Sequence, residues 1–224
     1  MNNKNFYAWF NEIKKDLGVR TTSFTKIFEY LDSKPDPIII VETGCLRKEG
    51  NFSGDGQSTL LFDKYTQSRG KGSKVYTVDI NPEAIKICKE NVSENVECFV
   101  GDSVGYLSNL SKKFEASKTN VSLFFLDSFD VNWKYPNQSS SHHLKELTAI
   151  INIINEETLL VIDDAPIMAP VQIENHKYVP INKNPAPKPY VSGKAFLVHE
   201  YAVACGAKIL FSNYQTAWIG FKKS

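Results

Sequence analysis

Long hydrophobic runs are missing from this sequence. The polar start Met1-Asn2-Asn3-Lys4-Asn5 leads into no unbroken apolar stretch. Neither a signal peptide nor a membrane span is therefore expected, and a cytoplasmic protein is the reading that follows. Cysteine is sparse. Cys45, Cys88, Cys98 and Cys205 make no CxxC pair and no metal-knuckle spacing, which argues against a disulfide framework and a zinc module. Cys88 and Cys98 fall in apolar runs, where a thiol behaves as a small hydrophobe. Charge of one sign is not in excess either: the formal net charge is +1 at pH 7, with acids and bases mixed along the chain. A dedicated nucleic-acid binder would show a basic face, so no nucleic-acid partner is expected. There is no internal repeat, no low-complexity tract and no shift in composition. The 224 residues read as one domain, residues 1–224, long enough for a continuous core. Homo-oligomerisation stays open.

What is present alternates. Phe6, Trp9, Phe10 and Ile13, then Phe24, Ile27, Phe28 and Leu31, are spaced for two amphipathic N-terminal helices within residues 1–34. Pro35 and Pro37 break the pattern. Strands are then expected at Ile38–Val41, Val75–Val78, Val96–Val100, Val121–Leu126 and Thr158–Ile162. Helices are expected between them at Thr59–Tyr65, Ala84–Cys88, Val104–Leu110 and His142–Ile154. Uninterrupted β-branched runs separated by helices predict βαβ units and a parallel sheet covered on both faces. After a helix at Lys194–Ala204, the runs Lys208–Phe211 and Thr216–Phe221 flank Ser212-Asn213-Tyr214-Gln215, a hairpin signal. The expected fold is α/β. Residues 35–224 form a Rossmann-like, doubly wound sheet, mostly parallel, with an antiparallel C-terminal hairpin strand. Pro166, Pro170, Pro180, Pro185, Pro187 and Pro189 mark residues 166–193 as a long lid loop.

Carboxylates fall where these strands end: Glu42, Asp79, Asp102, Asp127 and the pair Asp163-Asp164 follow strands one to five in turn. In a parallel sheet those ends share one edge, where open α/β folds bind ligands. One acid at a strand end means little, because a strand must end in something polar; five in succession is harder to dismiss. Such an array repels pyrophosphate and suits a ligand carrying hydroxyls, amines and positive charge. S-adenosylmethionine has a ribose diol, an ammonium and a sulfonium.

Taken in order, Val41-Glu42-Thr43-Gly44, the glycines of Gly54-Asp55-Gly56-Gln57-Ser58-Thr59, Val78-Asp79 and Gly101-Asp102-Ser103 resemble the successive motifs of class I S-adenosylmethionine-dependent methyltransferases. The resemblance extends by topology from about Ile38 to Phe221, and the closing hairpin fits that family's reversed last strand. It implies an enzyme with S-adenosylmethionine as cofactor. Glu42 and Gly44 would line the methionine portion. Gly56, Gln57 and Ser58 would offer amides at a helix start to its carboxylate. Asp79 would take the ribose hydroxyls, and Asp102 and Ser103 would sit beside adenine. Thr43, Ile80 and Asp127 complete the implied donor set. The family's compact glycine loop is interrupted here by Cys45–Ser53.

An acid after strand four and an acidic pair after strand five also resemble the cation-dependent small-molecule O-methyltransferases, including the macrocin-type sugar enzymes. That implies Asp127, Asp163 and Asp164 as ligands of Mg²⁺, which would orient an acceptor hydroxyl. The plainer alternative is that these acids cap a turn or bind substrate without metal. The run Ser139-Ser140-Ser141 reads as a helix N-cap ahead of His142 and His143. A helix amino terminus favours neutral imidazole, so either ring could serve as a base. The two side chains diverge by about 100°, so one at most can serve, and His143 is preferred. Asp127, His143 and Lys194 form the expected catalytic set, although plain solvent exposure competes for the last two. The leading function is methyl transfer to a hydroxyl of a small-molecule acceptor. An N-methyltransferase, a non-catalytic S-adenosylmethionine-binding module and an NAD-binding oxidoreductase are the alternatives. The last is disfavoured because Gly54-Asp55-Gly56 lacks the third glycine of the dinucleotide pattern.

Overall fold

Runs of apolar and β-branched residues bury both faces of the central strands. β1 (Ile39–Thr43), β4 (Leu123–Leu126) and β5 (Leu159–Ile162) are buried along their whole length. β2 (Lys74–Asp79) and β3 (Val96–Val100) complete the parallel set, with β3 at the edge. The computed structural model describes residues 3–54, 57–174, 177–181, 185 and 188–222. Its main sheet has seven strands in the order β10-β11-β5-β4-β1-β2-β3, where β10 is Lys208–Ser212 and β11 is Thr216–Ile219. β11 is antiparallel to both β5 and β10, as the hairpin signal predicted.

Helices cover both faces. α1 (Lys4–Ile13), α2 (Thr21–Asp32) and α3 (Ser58–Ser68) pack on the side to which Ile40, Leu123, Phe125 and Val161 point. α5 (Ser103–Ser117), α6 (Asn137–Ile150) and α7 (Phe196–Ala204) cover the side of Val41, Phe124, Leu126 and Leu160. α4 (Pro82–Asn91) links β2 to β3, with Pro82 in its first turn and Asn81 accepting the Glu83 N–H as N-cap. No described helix is long and apolar enough to cross a membrane.

The structure corrects several boundaries. β1 runs on through Glu42 and Thr43, so Glu42 lies inside the strand, paired in register with Thr77 and Phe125, and not after it. A 3-10 segment, Lys14–Arg20, joins the two N-terminal helices. The serines expected to cap α6 lie inside its first turns, where Ser139 Oγ bonds Pro136 O and Ser140 Oγ accepts the Leu197 N–H. The expected lid loop contains strands: β6 (Ile167–Met168) pairs with β9 (Tyr190–Val191), and β7 (Val171–Glu174) with β8 (Lys177–Pro180). Alternating β-formers such as Val171-Gln172-Ile173-Glu174 support those pairs despite the prolines.

Candidate active site

The cavity begins where β1 gives way to Gly44. Gly44 has φ +80, and a Cβ there would stand 2.8 Å from the Asp127 carbonyl oxygen. Only glycine lets the two loops approach so closely. Thr43 ties them together, its carbonyl and hydroxyl both accepting the Asp127 N–H. The resulting cavity, about 320 Å³, is walled by Gly44, Ser58, Asp79, Ile80, Asp102, Ser103 and Asp127, with His142 and Phe129 at one side. Most of the expected donor set therefore meets at the carboxyl edge of β1 to β4.

Its polar groups are held from below. Asp79 accepts the Asn81 N–H at 2.8 Å on one oxygen and the Cys45 thiol at 3.7 Å on the other. Asp102 caps α5 through the Gly105 N–H at 2.8 Å. Ser103 Oγ lies 2.9 Å from His142 Nε2, and the His142 ring stacks on Phe129 with centroids 5.4 Å apart. Ile80 lines the cavity and is 76% exposed, an apolar side chain open to solvent. Thr43, Glu42 and Gln57 stand behind the wall, all fully buried. Gln57 begins α3 in a left-handed conformation, and its amide donates to the Lys48 carbonyl. Gly56 lies outside the described residues. Burial pushes the Glu42 carboxyl up to about 7, against hydrogen bonds from Ser58, Thr59 and Thr77. Among the described residues, Glu42 Oε1 and Gln57 Oε1 have no hydrogen-bond partner. Open acceptors beside a carboxylate-lined cavity fit a ligand with an ammonium and a diol.

A second, strongly polar pocket of about 280 Å³ adjoins the first, and Arg47, Asp127 and Asp130 line both. Arg20, Asp163, Asp164, Tyr214 and Trp133 are also in its wall. Carboxylate oxygens of Asp127, Asp163 and Asp164 gather within 4.8 Å of one another, as the sequence implied. Cations of the chain already hold them. Arg20 Nη2 is 2.8 Å from Asp163, and its guanidinium lies over the Tyr214 ring at 4.7 Å. Lys194 Nζ is 2.6 Å from Asp127 and 3.1 Å from Asp164. Burial raises the Asp127 pKa well above the usual range, against the pull of Lys194. For Asp164, burial is outweighed by Lys194, Tyr214 and Arg20, which hold its value down. So engaged, the three acids do not fit a divalent ion.

Two of the expected catalytic residues need correction. His143 is fully buried, donates Nδ1–H to the Ser139 carbonyl of its own helix at 2.7 Å, and lines neither cavity. Burial lowers its pKa to about 4, leaving a neutral ring inside the core. His142, set behind it on sequence grounds, is the histidine in the wall. Lys194 is 1% exposed and sits behind the carboxylates, so it acts on them and not on a ligand. Arg20 and Tyr214 were missed altogether.

No protein-family model matches the chain, and no curated protein sequence matches it. Solved structures do resemble it. A candidate rRNA-methylase from Clostridium thermocellum superimposes with a TM-score of 0.51 at 11% identity, over 88% of this chain and 97% of that one. A candidate O-methyltransferase from Klebsiella pneumoniae gives 0.49 at 13% identity, over 92% and 80%. A variant of LepI, in complex with SAH and a substrate analogue, gives 0.47 at 11% identity over 87% of this chain. This chain spans 46% of the LepI chain. At these identities the likeness is one of fold.

Proposed function

We propose that this chain is an S-adenosylmethionine-dependent methyltransferase that methylates a hydroxyl of a small-molecule acceptor. The observation that carries the reading is the meeting of Gly44, Asp79, Asp102 and Ser103 around one cavity that adjoins a separate polar pocket at Asp127. In this reading Asp79 binds the ribose diol, while Ile80, Asp102 and Ser103 flank adenine. Ser58, at the amino terminus of α3, faces the carboxylate of the methionine end, and the buried Glu42 and Gln57 back that wall, with the Glu42 carboxyl on the side of the ammonium.

The bound donor would supply an electrophilic methyl group on a positively charged sulfur. The chain's own part is alignment and proton handling. Asp127, at the junction of the two cavities, would accept a hydrogen bond from the acceptor hydroxyl and take its proton as the carbon–oxygen bond forms and the sulfur–carbon bond breaks, leaving neutral S-adenosylhomocysteine. Lys194 keeps that carboxylate in place, and Trp133 walls the acceptor side. A pocket of about 280 Å³ suits a small molecule, and a formal net charge of +1 is not the overall basic excess of a dedicated nucleic-acid binder.

Thermal melting with S-adenosylhomocysteine, with NAD as the control, tests the donor assignment. S-adenosylhomocysteine should raise the melting temperature in proportion to the logarithm of its excess, and NAD should not. Asp79→Ala should weaken that binding by about tenfold to a hundredfold, the loss of hydrogen bonds to a charged group. A melting curve indifferent to S-adenosylhomocysteine would remove the proposal.

A further inference from the structure

We infer that Lys194 and Arg20 are the resident cations of the Asp127–Asp163–Asp164 cluster, standing where a divalent ion would otherwise be needed. The inference rests on side-chain contacts and is independent of methyl transfer. Both Asp163 oxygens accept from Arg20, at 2.8 to 3.2 Å. One Asp164 oxygen takes the Tyr214 hydroxyl and the other faces Lys194 Nζ at 3.1 Å. Asp127 Oδ1 lies 2.6 Å from the same ammonium. An incoming ion would compete with these donors for the carboxylate lone pairs.

Displacement is opposed by the way Lys194 is built in. The residue before it, Gly193, has φ +61, and a Cβ there would come within 1.9 Å of the Asp164 carbonyl oxygen. That same carbonyl accepts the Lys194 N–H at 3.2 Å. The backbone is thus locked onto the acid that the side chain neutralises. With the residue only 1% exposed, the ammonium has no solvated position to retreat to, and a lysine is buried this deeply only when paired. Two fixed positive charges against three carboxylates leave one negative charge. Desolvated carboxylates without those cations would be costly, which is the deficit a metal usually fills. Lys194 is accordingly a positioning residue for Asp127.

Titration of the full chain with Mn²⁺, read from the electron paramagnetic resonance signal of the free ion, tests this. The unaltered chain should leave the signal unchanged into the millimolar range. Lys194→Met uncovers two carboxylates and should take up Mn²⁺ at least about tenfold more tightly, whereas Lys194→Arg should refuse it as the unaltered chain does. Saturable uptake by the unaltered chain, removed by Asp127→Asn or Asp163→Asn, would overturn the inference. So would a Lys194→Met variant that melts cooperatively yet binds no Mn²⁺. Should that variant not fold, the unaltered chain and its Asp→Asn variants decide alone. Failure of S-adenosylhomocysteine to bind the unaltered chain would remove the proposed function and leave this inference standing.

Discussion

A carboxyl group in the middle of a parallel sheet has only neighbouring hydroxyls to answer it, and Glu42 is in that position. Thr59 donates to Glu42 Oε2 at 2.7 Å, while Oε1 has no hydrogen-bond partner among the described residues. Burial raises its value from 4.5 to about 7, so the folded chain keeps a proton that the unfolded chain releases. The stability this gives is fully present below about pH 4.5 and is lost as pH rises through about 7. Two and a half pH units correspond to about 3 kcal/mol. Glu42→Gln, which cannot ionise, should show no such decline, and urea midpoints across that window should diverge from those of the unaltered chain. Parallel curves would place the pH dependence elsewhere. The same scale explains the histidine pair. One residue of helix separates a ring in the cavity wall from one in the core, and spacing alone does not say which is which.

At the scale of elements, the N-terminal helices are part of the core and also deliver a site residue. The Phe28 ring meets Phe6, Phe10 and Tyr65 at centroid distances of 4.8, 5.2 and 4.9 Å, joining α1, α2 and α3. Phe28→Ala should cost about 3–5 kcal/mol in urea unfolding. A loss below about 1 kcal/mol, the scale of an exposed position, would mean that the helices do not pack as described. The strands were legible because Ile38–Val41, Phe124–Leu126 and Leu159–Ile162 are continuous apolar runs, and the acids closing them marked the working edge. Glu42 was misplaced by the assumption that a polar residue ends a strand, which an interior hydroxyl environment defeats. Arg20 was invisible because its partner Asp163 is 143 residues away. The available signal was scarcity: Arg20, Arg47 and Arg69 are the chain's only arginines, and the first two line the acceptor pocket. Tyr214 was read as a turn residue, and nothing in its neighbours marks it as a partner of Asp164.

Across the whole molecule, concavity and chemistry lie at opposite edges of the sheet. A depression of about 1180 Å³ lies at the amino ends of the strands and is lined by Lys34, Lys74, Lys118 and Lys222 among others. The cavity proposed for the donor is smaller, but it lies at the carboxyl ends, where open α/β folds bind ligands. Occupation of one edge predicts a specific pattern of protection. Hydrogen exchange with saturating S-adenosylhomocysteine should slow at the loops following β1, β2, β3 and β4, around Gly44, Ile80, Asp102 and Phe129, because the ligand bridges segments that otherwise open independently. Amides around Lys118 and Glu157 at the opposite edge should change no more than global stabilisation requires. Protection concentrated there would move the donor site to the lysine-lined edge. The carboxylate array would then be an arrangement of the fold, with the ribose and the ammonium recognised by residues other than Asp79 and Glu42.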